Sequence, residues 1–489
     1  MRRGPHENNN INKTRKIKYI NAIIVLFFMF GFQFIPPVSS LTSTGMHVLG
    51  IFIGCVYGWS TVDLIWTGFF AVISMSFVEG YNLNSVVAAG FGSSTFWILV
   101  FMVLFVMVFE CAGGTKFISS WLLARKILKG KPLLFTFVFL FATFMVGMLN
   151  PIASVILFFS ILFQICGQVG YEDHSKYSVV MMIGVIFASM FGSISHSLMG
   201  TPLTLSNAFT AATGIQLSVI DFVKVGWPFS VFLLVVFTLS VKYVFRCDLK
   251  PLADVKIEEI INVDAMKASP QLKAMAVFII ILVLGLVGGA ALPATMKFTQ
   301  ILNALNLLGI CMILLGVMTF VKINNEYLFD FKKYVNALPW DVLFITAAIM
   351  PLSSMLTMEG TGIDTFISSI LGDKLAALPP TLFIAVIMFI GAILTNFANN
   401  AAICILLMPV ILSVCASSGL SSIPIYMSMI FAVHLALLTP GACPYAAMLW
   451  GETKHISPKD IYKYAPIIMI IFYICIIFVG YNWAKLMLG

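Results

Sequence analysis

The sequence predicts an all-α polytopic membrane protein built as an inverted-topology repeat, with about eleven transmembrane helices and two re-entrant helical hairpins. Three observations carry that expectation. Of 489 residues, 60% are hydrophobic and 10% charged, and the mean hydropathy is +1.03; a soluble chain carries roughly a quarter charged residues. Apolar runs near the ~20 residues needed to cross a bilayer recur from end to end. A polar-centred apolar segment followed by an interrupted one occurs twice.

The order begins with a basic stretch, residues 1–19, expected to be cytoplasmic, and a first transmembrane helix within 20–44. A basic start, a short apolar core and the small residues near Pro36 also describe a signal peptide; the uncleaved helix is the preferred reading. Apolar runs follow near 45–60, 62–79, 95–112, 132–168, 177–210 and 218–245. After a polar linker, 247–270, they resume near 271–292, 300–321, 340–358, 379–416, 422–450 and 464–486. Repeat 1 is thus 45–246 and repeat 2 is 271–489. The positive-inside rule tests this count. Arg125, Lys126, Lys129, Lys242, Arg246, Lys332, Lys333, Lys454 and Lys459 all fall in loops assigned to the cytoplasm. They do so only if 132–168 and 379–416 each leave the membrane on the side they entered.

Each of those segments is therefore a helical hairpin. A hairpin tip inside a bilayer leaves backbone groups unpaired, so polar and helix-breaking residues belong at its midpoint. "MLNPIAS" (148–154) centres the first and "LTNFANN" (394–400) the second. The run after each hairpin is also interrupted, by "GSISHSLMGTP" (192–202) and by "TPGACP" (439–444). Phe117 and Phe366 are 249 positions apart, as are Cys166 and Cys415, while Asn150 and Asn400 are 250 apart. The charge topology brings the first hairpin in from the inside and the second from the outside. Inverted repeats of this kind build secondary transporters with their site at the repeat interface.

Asn suits such a site, because its carbonyl oxygen can ligate sodium while its NH2 donates to a carboxylate. Asn150 and Asn400 are the expected tip ligands, with Asn399 and Asn396 as further candidates. His196 and His434 each precede a Thr-Pro by five residues and read either as a proton relay or as neutral residues bonded between helices. Glu110 and Glu359, near helix ends, read as interfacial pairing partners. Nine scattered cysteines and six histidines form no metal-ligand spacing, and no nucleophile pairs with a base, so neither a cofactor nor an enzyme is expected. The formal charge of +8 belongs to cytoplasmic loops rather than to a nucleic-acid partner.

These residues resemble the divalent-anion/sodium symporter family, citrate- and dicarboxylate-type anion permeases of the wider ion-transporter superfamily. "LTNFANNAAICILLMP" is similar to that family's second hairpin tip, with its Ser-Asn-Thr falling on Asn399-Asn400-Ala401. The first tip falls on Leu149-Asn150-Pro151, so both tip threonines are replaced. Gly200-Thr201-Pro202 matches the turn in the first broken helix, which departs at Leu203-Thr204, and Cys443-Pro444-Tyr445-Ala446 resembles the second. The resemblance implies a homodimer in the plasma membrane, each protomer holding a scaffold and a mobile transport domain. It implies substrate contacts from Asn150, Asn399, Asn400, Pro202, Thr204, Pro444 and Tyr445. It places sodium, as the coupling ion, on Asn150, Gly200 and Thr201 and on Asn400, Ala442 and Cys443. The function expected is sodium-coupled symport of a small organic anion. Proton-coupled or exchange transport of another solute and a channel-like facilitator are the alternatives.

Overall fold

Helices form where the apolar runs lie, and most of the long ones are opened by a side-chain cap. The computed structural model describes residues 5–489 apart from 199, 261–266, 292–294, 337, 339, 357, 368–377, 398 and 441. Part of the 247–270 linker and of the segment just before the second hairpin therefore lies outside the described residues.

Helix α1 (Pro5–Leu26) starts inside the basic stretch expected to precede it, and runs on through a π-turn, Phe27–Gly31, and a 3-10 turn, Phe32–Phe34. No Gly or Pro between Ile11 and Ile20 stops helix propagation upstream from the apolar span. Next come α2 (Ser43–Thr61), α3 (Leu64–Met75), α4 (Leu83–Gly90), α5 (Ser94–Cys111) and α6 (Gly114–Leu123). The short α4 was not expected; a reciprocal capping box between Asn82 and Ser85 starts it. Helices α5 and α6 meet at a 60° bend, where Gly113 has φ +89°, a backbone only glycine adopts freely.

The first hairpin is α7 (Pro132–Gly147) and α8 (Pro151–Val169), followed by the broken pair α9 (Lys176–Ile194) and α10 (Gly200–Thr213), then α11 (Val219–Tyr243). A short α12 (Ile257–Ile260) leads to α13 (Pro270–Ala291) and α14 (Lys297–Met318), which kinks at Asn306. Strands β1 (Lys322–Ile323) and β2 (Glu326–Tyr327) pair antiparallel across Asn324-Asn325. Both asparagines have positive φ, as a tight two-residue hairpin requires. Then come α15 (Phe331–Val335), α16 (Trp340–Leu356) and α17 (Ile363–Ile367). The second hairpin is α18 (Pro380–Leu394) and α19 (Asn400–Ser418), and the second broken pair is α20 (Ser422–Ala432) and α21 (Pro444–Gly451). Helices α22 (Pro458–Cys475) and α23 (Tyr481–Leu488) close the chain, joined by a π-turn at Ile476–Gly480.

The two halves correspond element by element. Limbs α8 and α19 each have 19 residues and end on a left-handed glycine, Gly170 and Gly419. Helices α11 and α22 both open with a Ser-x-x-Asp capping box, Ser218/Asp221 and Ser457/Asp460. In both halves the hairpin limbs pack on the first part of the broken helix.

Among the described residues, seven helices are long and apolar enough to cross a membrane, or eight if the bent α5–α6 pair is one span. The hairpin limbs α7 and α18 and the broken-helix segment α20 are shorter, because tips and breaks interrupt runs that the sequence presents as continuous. Buried apolar residues fall into two clusters. The larger surrounds the hairpins and broken helices, and the smaller joins α5, α13 and α14. Helix α9 is almost wholly enclosed, whereas α13 and α14 turn Val277, Ile280, Leu284, Ile301 and Met312 outward, as lipid-facing helices do.

The first hairpin seats on α9 through backbone contact. A Cβ on Gly192 would lie 2.3 Å from the Phe144 carbonyl oxygen, and one on Gly147 2.7 Å from that of Ser189. Gly192→Val is therefore expected to cost about 3 kcal/mol or more by overpacking. The yield of folded protein in a fluorescence-detected gel filtration should fall sharply.

Candidate functional site: two hairpin tips and two helix breaks

At the first tip, Asn150 is the N-cap of α8, its Oδ1 accepting from the Ala153 N–H at 3.0 Å. Pro151 follows at the first helical position, where a missing N–H costs nothing. The Asn150 Nδ2 donates to Glu110 Oε2 at 3.2 Å, so Glu110 reaches the tip. The other oxygen of that carboxylate, Oε1, is buried with no hydrogen-bond partner among the described residues. The tip is pinned to the broken helix by two bonds: Ser189 Oγ donates to the Pro151 carbonyl at 2.7 Å, and His196 Nε2 to that of Met148 at 2.7 Å. The Leu198 N–H lies 3.3 Å from His196 Nδ1, which makes that nitrogen the acceptor and the ring neutral.

At the second tip, Asn399 is the N-cap of α19, its Oδ1 accepting from Ala401 and Ala402 N–H at 2.9 and 3.4 Å. Asn400 is buried in the first turn, and its Oδ1 accepts from the Thr395 hydroxyl at 2.7 Å. That hydroxyl is also 2.6 Å from the Val433 carbonyl, and its single proton serves one acceptor at a time. The helix limits place Asn399, not Asn400, in structural register with Asn150; that spacing is 249, the same as for Phe117/Phe366 and Cys166/Cys415. Asn400 corresponds to Pro151.

Asn396 does a separate job. Its Nδ2 donates to the carbonyls of Ala392 (2.7 Å) and Leu435 (3.1 Å), and its Oδ1 accepts from the N–H groups of Leu437 (3.0 Å) and Leu438 (2.8 Å). The Thr439 hydroxyl donates to its main-chain carbonyl. This one side chain, 1% exposed, supplies partners to Leu435, Leu437 and Leu438 in the non-helical segment 435–438.

The first break includes 195–198, and Gly200, with φ +66°, starts α10. Pro202 and Thr204 are buried in its first turns, and Thr204 Oγ1 meets Gly200 O at 3.3 Å and Thr346 Oγ1 of α16 at 3.2 Å. Thr201 sits half-buried beside them. At the second break Ala442 is buried, and the Cys443 Sγ caps α21, accepting from the Ala446 N–H at 3.4 Å. Pro444 is the first helical residue, exposed, and Tyr445 is half-buried. It is Pro444, at the start of α21, that corresponds in place to the start of α10. His434 is buried just past the end of α20 and donates from Nδ1 to the Ile430 carbonyl of that helix at 2.6 Å.

The repeats interlock crosswise. Helix α10 packs on α19 of the other repeat, and α21 on α8 and α9. Phe209 of α10 stacks on Tyr426 at 4.6 Å, and the Tyr426 hydroxyl donates to Leu205 O at 3.0 Å. No hydrogen bond joins the two tips among the described residues. A cavity of about 400 Å³ opens beside the first break, lined by Ser197, Asn207, Thr210, Asn303 and Asn306 among others. Among the described residues no Lys or Arg lines it.

The donors at the tips and breaks are amide, hydroxyl, carboxylate and carbonyl oxygens. Such a set suits a hard cation. Among the described residues no three of His, Cys, Asp and Glu cluster as a metal site. The sequence reading missed Glu110 as a tip contact and Thr395 altogether. The signal for Glu110 was available: it stands 249 positions before Glu359, the same spacing as the tips.

Comparison with known proteins fits this geometry. Residues 48–432 match the citrate transporter family. The chain belongs to the citrate transporter family. This citrate transporter family member is 23% identical over 282 residues to an uncharacterized transporter of Methanocaldococcus jannaschii, covering 58% of this chain and 59% of that one. It is 21% identical over 356 residues to an uncharacterized transporter of Haemophilus influenzae, covering 71% and 72%. Among solved structures, the Alcanivorax borkumensis YdaH transporter shares its fold, with a TM-score of 0.51 at 15% identity over 83% of this chain and 86% of that one. Membership of that family, with seven described helices long and apolar enough to cross a membrane, makes this a multi-pass membrane transport protein rather than an enzyme.

Proposed function

We propose that the chain is a secondary active transporter carrying a small organic anion of the di- or tricarboxylate class together with sodium. Alternating access would be of the elevator type, in a homodimer of the plasma membrane with cytoplasmic N-termini. One observation carries the coupling. Both tips and both breaks offer helix N-termini and amides, yet 145–155, 195–207, 392–404 and 433–447 contain no Lys or Arg. Helix N-termini supply only partial positive charge, so the full charge of a carboxylate has to be balanced by cations that travel with it. Asn150, Gly200 and Thr201 at one tip, and Asn400, Ala442 and Cys443 at the other, are the oxygen and sulfur positions proposed to flank those ions. Asn399, Pro202, Thr204, Pro444 and Tyr445 join the two tip asparagines around the substrate.

Pro151 and Ala401, standing where the resembled family has threonine, favour a second reading: proton-coupled or exchange transport of a solute that is not a dicarboxylate. His196 and His434, each beside a break, are the groups that would carry protons in that case. A thermal-shift screen of the purified protein against citrate, succinate, malate and sulfate, with and without sodium, separates the readings. A true ligand at 100 times its Kd stabilises by about 2.7 kcal/mol. Citrate-class stabilisation that requires sodium supports the first reading. Stabilisation by another solute, indifferent to sodium, supports the second.

A further inference from the structure

The hairpins are each preceded by a segment that the two repeats share more closely than any other. Glu110–Ser120 reads ECAGGTKFISS and Glu359–Ser369 reads EGTGIDTFISS, identical at Glu, Gly, Phe, Ile, Ser and Ser. The offset is 249, the same as between the N-capping Asn150 and Asn399. Both shared glycines, Gly113 and Gly362, have positive φ, so the chain turns in the same unusual way at both places.

The two glutamates are nonetheless in different situations. Glu110 accepts from the Asn150 amide and turns its other oxygen into the protein, out of reach of water. Glu359 is exposed and makes no hydrogen bond or ion pair among the described residues. Among the described residues Asn399 uses only its Oδ1, to cap its own helix. One repeat has its carboxylate on its hairpin tip, and the other has an equivalent carboxylate in water and an unengaged tip amide.

We propose that Glu110 and Glu359 are matched positioning residues that hold the two hairpin tips one at a time. Inverted repeats give a transporter two near-equivalent halves, and alternating access can exchange their local geometries. The structure holds the member of that pair with Glu110 on Asn150. In the opposite state Glu110 releases Asn150 and Glu359 takes the Asn399 amide. Each contact exists in one state only, which is the requirement for a contact to bias a two-state equilibrium. This inference rests on the alternating-access reading proposed above.

Hydrogen–deuterium exchange of the full-length protein in lipid nanodiscs tests it, comparing peptides that cover 148–153 and 397–402. A hydrogen bond to a charged group is expected to move the ratio of states by about tenfold or more. Glu110→Ala should raise exchange at the first tip and lower it at the second. Glu359→Ala should do the reverse. Glu110→Gln and Glu359→Gln, which keep an acceptor oxygen but lose the charge, should move exchange in the same directions as the alanine variants, by less. The Glu359 arm decides the matter even if Glu110→Ala does not fold, because removing an exposed, unbonded side chain has no structural reason to alter either tip. Exchange at both tips unchanged in Glu359→Ala, or moved in the same direction by both alanine variants, would overturn the inference. Uptake assays on the same variants keep the two readings apart. Absence of cation-driven uptake in wild type removes the transport reading, whereas loss of the opposite-sign exchange alone removes only the alternating contacts.

Discussion

Asn396→Ala is expected to abolish transport and to destabilise the protein by about 3–6 kcal/mol, since each buried polar group left unpaired costs ~1–3 kcal/mol. The substitution strands the Leu437 and Leu438 N–H groups and the Leu435 carbonyl. Leu435 and Leu437 are buried in the larger apolar cluster and Leu438 is half-buried against it. Several backbone groups of one non-helical segment lose their partner together, which is what lifts this change above the usual range for single substitutions. Melting of the detergent-solubilised protein checks it. A shift no larger than that of a surface substitution would show that the segment finds other partners.

The second large effect is on ligand binding rather than folding. Asn150→Ala and Asn400→Ala should each weaken sodium-dependent binding of the best carboxylate by about 10- to 100-fold, the equivalent of one hydrogen bond to a charged group. Asn150→Ala carries an additional folding cost of about 1 kcal/mol, because it removes the N-cap of α8. Asn400→Ala leaves the Asn399 cap in place and frees the Thr395 hydroxyl for Val433, so its fold should be nearly intact. Calorimetric titration of both variants, alongside their melting curves, separates binding from stability. Unchanged affinity in both would remove the tips from the site.

The architecture was legible in the sequence because the physics that produces it is local. A hairpin tip or a helix break in a bilayer needs polar or helix-breaking residues at its centre, and "MLNPIAS", "LTNFANN" and "TPGACP" supply them. The positive-inside bias pointed to the same two segments that the fold turns back on themselves, α7–α8 and α18–α19. Pairings that depend on how separate elements meet were less visible. Asn396, Asn399 and Asn400 have one chemistry in the sequence and three jobs in the fold: a clamp on an unwound strand, a helix cap, and a buried tip amide. Which is which depends on where α19 begins, and a one-residue change of register moved the partner of Asn150 from Asn400 to Asn399. Glu110 looked like an interfacial residue because its 60° helix bend and the incoming tip are both tertiary facts. Helix α4 escaped notice because eight residues with a capping box carry little hydrophobic signal.

The central claim is that a site without cationic side chains carries its anion only in company with cations. Uptake of labelled citrate into proteoliposomes holding the purified full-length protein tests that claim most directly. With an inward sodium gradient, citrate should accumulate above its external concentration, and collapsing the gradient with a sodium ionophore should abolish the accumulation. Citrate that merely equilibrates across the membrane, at the same rate with a sodium gradient, with a proton gradient and with neither, would contradict the account.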